Sequence, residues 1–306
     1  MRAVPAPPAA RIEEFGLLCD PAPGWRRRRW LTVAALGGLG FALQGRAASR
    51  PWTLGVVPYL SARRLVELYE PLRAWLEREA ARPVRLETAP SYHAYHERCA
   101  GAAYDWIATS PGLGRLAEQE QGYVPLARPL TDLEPLLVVP RGSPLREVAE
   151  LRGQVVTTSD PLATLTLVAR RFFSEAGLPP GAALDLRPMG THANALAVLL
   201  RGEAAAAVIS VTALKQIGGE QAERIRVLVR LPPTPPLLYM AHRRLGQAEL
   251  ERWQRALLRF GNETVEGLEA MRRLGHDGLR AVTRTDLAAL DPIAADLKRL
   301  LAVSAS

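Results

Sequence analysis

Two α/β lobes, joined by a chain that crosses between them twice, is the fold class this sequence predicts. Three observations carry it. Residues 52 to 108 alternate strand and helix patterns in the order βαβαβ, which implies a parallel sheet covered by helices. A second set of the same kind follows from residue 136 onward. The run Leu231-Pro232-Pro233-Thr234-Pro235-Pro236 is stiff and extended, as suits a segment passing from one lobe to the other. At 306 residues, 48% hydrophobic and 23% charged, the chain is long enough to build both lobes.

The elements can be justified in order. Trp52 to Val57 is an apolar strand broken by Pro58-Tyr59. A helix runs from Ser61 to about Glu79, with Leu65, Leu68, Tyr69, Leu72, Trp75 and Leu76 on one face. Val84 to Thr88 alternates as a strand does, a second helix runs from Ser91 to Gly101, and Tyr104 to Ala108 is the third strand. Thr109 to Gly112 reads as its C-terminal loop. Leu136 to Val139 and the strand ending at Val155-Val156 open the second set. Asp160 is placed as an N-cap with Pro161 at the first helical position, and Gly177 closes that helix. A strand at Leu184–Pro188, a helix at His192–Arg201 and a strand at Ala205–Ile209 complete it. Beyond the proline run come a strand at Leu237–Ala241 and helices near residues 247–259, 262–274 and 291–301. The expected division is a leader at 1–48, lobe 1 at 51–140, lobe 2 at 141–230, and a return to lobe 1 with C-terminal helices at 231–306.

The beginning of the chain reads as an export signal. Arg26 to Arg29 form a basic stretch, Trp30 to Leu43 an apolar one shorter than a membrane span, and small residues follow at Gly45, Ala47, Ala48 and Ser49. Cleavage is expected between about Gly45 and Arg50. Either a general or a twin-arginine export route fits, and an uncleaved signal anchor is the alternative. The net charge is +8, with 39 basic and 31 acidic residues. Seven of the former and three of the latter lie in 1–48, which leaves 32 against 28, interspersed without a basic stripe. Nucleic acid is therefore excluded as a partner. Cys19 falls in the leader and Cys99 stands alone, so no disulfide framework or thiolate cluster is expected. His93 and His96 share a helix face, but with no third ligand nearby they read as a solvated face and no metal is expected. No nucleophile–base pair, paired carboxylates or phosphate-binding glycine loop occurs at recognisable spacing, so the chain is not read as an enzyme and no cofactor is expected.

Ligands of open α/β sheets bind beyond the carboxyl ends of the strands. Those ends bring Tyr59, Thr109, Ser110, Thr158, Ser159, the turn from Met189 to His192, and Ser210 to an interlobe cleft. The polar turn from Thr157 to Asp160, leading into a helix, offers backbone N–H groups and the positive end of a dipole to an anion.

From residue 52 to about residue 300 the chain resembles the phosphate, phosphite and phosphonate subfamily of periplasmic substrate-binding proteins of ABC transporters. The resemblance lies in GVVPYLSARRLVELYEPLRAWLE, TAPSYHAYH, GAAYDWIATSP, LRGQVV with FFSEAGL, and GTHANALAVLLRGEAAAAV, in that order. It implies the type II periplasmic binding protein fold, with a hinge between lobes, and a small oxyanion as ligand. Tyr92 matches the family's lobe-1 tyrosine, while Thr109 stands where an aromatic residue is frequent. The family's Ser-Thr-Ser falls on Leu162, Ala163 and Thr164, unless the register brings Thr157 to Ser159 into play. Its histidine falls on Thr191 or on His192. The acids that hold an amine in aminophosphonate binders fall on Val211 and Pro235, which disfavours an amine ligand.

The resemblance therefore implies a periplasmic, monomeric protein that captures a small oxyanion and delivers it to an ABC permease. The rival is a periplasmic sensor of an oxyanion that signals to a membrane histidine kinase, which a Cys99 near the cleft would favour for a thiophilic ligand such as arsenite. The expected ligand-binding residues are Tyr59, Tyr92, Thr109, Ser110, Thr158, Ser159, Thr164, Thr191, His192 and Ser210. Leu162 and Ala163 in place of hydroxyls predict a more apolar site than the family has.

Overall fold

The computed structural model describes residues 50 to 304, so the leader and its expected cleavage site lie outside the described residues. Two mixed sheets flanked by helices form the body. The first has the order β11-β4-β10-β3-β1-β2 and the second β7-β6-β8-β5-β9. In the first sheet β1 (Trp52–Val56) pairs in parallel with β2 (Val84–Glu87) and β3 (Trp106–Thr109). In the second, β6 (Val155–Thr158) pairs in parallel with β7 (Asp185–Pro188) and β8 (Ala206–Ser210). The remaining strands join by antiparallel pairings. They are β4 (Tyr123–Pro129), β10 (Leu238–His242) and β11 (Leu279–Arg280) in the first sheet, and β5 (Pro135–Pro140) and β9 (Ile225–Arg230) in the second. The parallel half of each sheet is the βαβαβ set, and each chain crossing enters the other sheet antiparallel.

That arrangement moves one boundary. Because β5 belongs to the second sheet, the first crossing lies at 130–134, ahead of the expected change at residue 140. The second crossing, 231–237, coincides with the proline run. The two crossings touch, with Leu133 and Thr234 exchanging backbone hydrogen bonds of 2.8 and 3.0 Å.

Helix starts are set by side-chain caps where the sequence provides them. Ser61 accepts from Arg64 N to open α1 (Ala62–Ala80), and Ser91 accepts from Ala94 N to open α2 (Tyr92–Ala100). Thr191 caps α5 (His192–Leu200), and Ser210 caps α6 (Val211–Ile217). Two of the helices that follow parallel strands have no cap from their own N-cap side chain: α3 (Pro111–Glu120) and α4 (Thr164–Glu175). The start of α4 departs from expectation. Asp160 Oδ1 accepts from Leu162 N at 2.8 Å and closes a turn, so the helix begins at Thr164 and not at Pro161.

The cores follow from these patterns. Lobe 1 is filled by aromatic rings: Trp106 meets Trp52 and Trp253 edge-on, each at 4.8 Å, and Trp75 stacks on Phe260 at 4.6 Å. Lobe 2 packs Phe173 against Leu137, Val156 and Val208. A further apolar cluster spans the seam between lobes. Leu162 and Leu167 of lobe 2 meet Leu113 and, from the C-terminal helix α11 (Asp291–Ser304), Ile293 and Leu297. Lobe 2 ends with α7 (Gly219–Glu223) before β9, and the rest of the return is α8 (Gln247–Glu263), α9 (Val265–Arg273) and α10 (Arg284–Ala288). Among the described residues no helix is long and apolar enough to cross a membrane.

Candidate functional site

The carboxyl ends of the parallel strands of both sheets face one another across a cavity of about 80 Å³. That volume holds several waters or one small polyatomic anion. The starts of α2 to α6 meet there, because each follows a parallel strand. Tyr59, Tyr92, Ser110, Thr164, His192 and Ser210, all expected from the sequence, line the cavity. Tyr59, Tyr92 and Ser110 come from lobe 1, the other three from lobe 2.

The electrostatics are those of neutral donors. Among the described residues no Lys or Arg side chain lines the cavity. The uncapped first turns of α3 and α4 are there instead. In α4 the first intrahelical bond is donated by Thr166, so the N–H groups of Thr164 and Leu165 precede the helix's own acceptors. Thr164 Oγ1 accepts from Gly112 N across the seam at 3.0 Å, which ties the start of α4 to the start of α3. Ser110 Oγ and His192 Nδ1 are buried and have no hydrogen-bond partner. Burial pushes the His192 imidazole down to about 4, so the ring is neutral at pH 7. Burial likewise holds the Tyr92 phenol well above its usual value, with Asp160 adding in the same direction, so it remains a donor.

Four expected residues are not brought to the cavity, each for a visible reason. Thr109 is fully buried within β3. Thr158 Oγ1 is 2.8 Å from Thr166 Oγ1, spent on joining β6 to α4. Ser159 is buried beneath the turn that delays α4, and its carbonyl accepts from Met189 and Gly190. Thr191 Oγ1 accepts from Asn194 N as the cap of α5, which leaves the neighbouring His192 to face the cleft. Of the residues expected to make the site apolar, Ala163 lines it, but Leu162 turns into the seam cluster. Cys99 is buried on α2 with its thiol pushed up to about 12, away from the cavity, so the observation that would favour a thiophilic ligand is missing.

The cavity also holds residues that the sequence did not single out. Thr131, Asp132 and Leu133 come from the first crossing, Thr212 from α6, and Gly275 and His276 from the loop after α9. Asp132 is half exposed at the rim and bound by Arg128. Neither Val211 nor Pro235 lines the cavity. Among the described residues no three His, Cys, Asp or Glu gather as a metal site.

The comparisons agree with this geometry. The sequence model of the family described as ABC transporter, phosphonate, periplasmic substrate-binding protein matches residues 54–287. PhnD1 from Prochlorococcus marinus, solved with methylphosphonate, superposes with a TM-score of 0.71 at 12% identity, covering 81% of this chain and 98% of that one. A binding component of an ABC phosphonate transporter from Pseudomonas aeruginosa gives 0.66 at 14% identity, over 84% and 99% of the two chains. A Xanthomonas citri protein bound to ATP gives 0.65 at 19% identity, over 82% and 98%. None of the curated proteins matches the chain in sequence. With a two-lobed fold, a cavity at the strand ends and a family match over most of its length, the chain belongs to the periplasmic substrate-binding proteins of phosphonate ABC transporters.

Proposed function

We propose that the chain captures a small phosphorus oxyanion in the interlobe cavity, closes over it about the two crossings, and presents it to an ABC permease as a monomer. The carrying observation is the pair of uncapped helix starts, α3 and α4, facing one cavity. The free N–H groups of Thr164 and Leu165 at the start of α4 and the dipoles of both helices favour an anion, and the surrounding hydroxyls add donors. The Prochlorococcus relative holds methylphosphonate and the Xanthomonas relative ATP, both phosphorus oxyanions. A cavity of about 80 Å³ suits the smaller of these. Closure is driven by contacts made with both lobes at once, such as those of Tyr92 and Thr164.

Calorimetric titration with methylphosphonate, phosphite, phosphate and sulfate tests the reading. A phosphorus oxyanion is expected to bind, and Thr164→Ala to weaken it about tenfold to a hundredfold. No heat and no thermal shift with any of the four would refute it. The basic and apolar stretch at residues 26–43 supports export with cleavage between about Gly45 and Arg50. N-terminal sequencing of periplasmic protein checks this, and recovery of the intact leader in membranes would contradict it.

A further inference from the structure

His276 lies between α9 and β11, on the lobe-1 side of the seam. Gly275 before it sits in the left-handed region at φ +76 and abuts Thr212, where an added Cβ would come within 3.1 Å of the threonine methyl. This close approach brings His276 up to the start of α6, where it lines the cavity. Its Nε2 is buried and has no hydrogen-bond partner. The ring donates to the Gly275 carbonyl. With Nε2 unpartnered, Nδ1 is the donor. A neutral imidazole that spends its proton on Nδ1 carries a bare lone pair on Nε2. The titratable groups around it are His192, Tyr59 and Tyr92 on the cavity wall, Tyr239 edge-on at 6.5 Å, Asp132 on the rim and Asp277 next in the chain. None of these is a fixed cation that would supply a proton-free anion with a counter-charge.

Building on the oxyanion reading, we propose that His276 is a ligand-binding residue whose Nε2 accepts a hydrogen bond from a protonated ligand oxygen, so that the cavity selects phosphonate-type monoanions over sulfonates. A phosphonate monoanion keeps one P–OH. It can direct that group to Nε2 and its charged oxygens to the first turn of α4, where the N–H groups of Thr164 and Leu165 are free. A sulfonate of the same shape has no O–H. It would set an anionic oxygen against a lone pair, or require a buried ring to take up a proton. A site built to pair with a hydroxyl rejects the analogue that lacks one, because its own buried group is left unpaired.

The test is calorimetric titration of methylphosphonate and methanesulfonate at pH 7 into the wild type, His276→Gln and His276→Phe. The wild type is expected to bind methylphosphonate at least about tenfold more tightly than methanesulfonate. His276→Gln offers an amide N–H and should bring the ratio towards one by gaining methanesulfonate. His276→Phe removes the acceptor without adding a donor, and should lose about tenfold for methylphosphonate with no gain for methanesulfonate. Melting temperatures without ligand check that the variants fold, and if one does not, the other decides. Equal wild-type binding of the two anions, or wild-type discrimination in a folded variant, overturns the role of His276 alone. If the wild type binds neither anion, the oxyanion reading falls and this inference with it.

Discussion

Replacing Gln216 should weaken ligand binding without weakening the ligand-free fold. Gln216 belongs to lobe 2, near the end of α6, and is 4% exposed. Its Nε2 donates to the Leu274 carbonyl of lobe 1 at 2.8 Å, and its own carbonyl accepts from Arg64 Nη2 at 3.2 Å. Both bonds cross the seam, so they exist only when the lobes are together. Gln216→Ala keeps the backbone bond to Arg64 and removes the side chain's bonds across the seam, to the Leu274 carbonyl and to the Tyr59 hydroxyl, leaving that carbonyl short of its partner in a buried seam. One such bond is worth about 1 kcal/mol net, and a buried group left unpaired raises the loss to about 2 kcal/mol. The closed state loses that amount and the open state loses nothing, so the dissociation constant should rise about five- to thirtyfold. The effect should fall on the off-rate, because α6 presents Ser210 and Thr212 to the cavity from its other end and the open site is unchanged. Calorimetry, stopped-flow dissociation and ligand-free melting measure the three quantities. An unchanged dissociation constant, or a ligand-free melting temperature that drops along with affinity, would refute a contact specific to closure.

Further expectations rest on the same structure. Arg128 is 3% exposed and bound to Asp286 at 2.6 Å, while Asp286 also accepts from Arg280 and Thr283; Asp286→Asn should destabilise by roughly 3 kcal/mol in urea unfolding by leaving a buried guanidinium with only the half-exposed Asp132 as counter-charge. A loss below about 1 kcal/mol would show that Asp132 alone holds Arg128. Burial lowers His192 and His276 from 6.5 to about 4, so the unfolded chain takes up these protons first and stability should fall as pH drops from 6.5 to 4. The limit is on the order of 3 kcal/mol per imidazole, and urea unfolding of the wild type against His192→Gln across that window shows whether His192 carries its share. Aminoethylphosphonate should bind no more tightly than methylphosphonate, because Asp132, the carboxylate at the cavity, is already held by Arg128. A tighter dissociation constant by calorimetry would show that an amine displaces Arg128.

The sequence was most legible where local chemistry decides. Ser61 and Ser91 stand at the helix starts that the sequence predicts and cap them, and the apolar stripe of α1 is buried at the six residues that periodicity named. It was least legible where tertiary contact overrides propensity. Helix α3 has no counterpart in the sequence reading, where its first residues, Pro111 and Gly112, belong to the loop after β3, and Gly112 and Gly114 weaken its helical pattern. Those glycines are there because an added Cβ would lie 2.7 Å from Ile293 and 2.8 Å from Leu238. Asp160-Pro161 has the form of a helix start, but its carboxylate closes a turn first. At the site, strand-end logic found the residues that begin helices and could not separate those facing the cleft from those spent on capping or on joining β6 to α4. Asp132 and His276 come from irregular segments brought back by the crossings, and no local pattern marks such residues.

A cavity walled by peptide dipoles and side chains that are uncharged apart from Asp132, which Arg128 neutralises at the rim, differs kinetically from one lined with lysine or arginine. It projects little field beyond its mouth, so encounter with an anion proceeds without electrostatic steering. Dissolved ions have little to screen at the site, because the donors act at contact distance inside a buried space. Capture of the ligand should therefore proceed at nearly the same rate in dilute and in salty surroundings. That constancy matters in a compartment whose ionic strength follows the medium outside the cell.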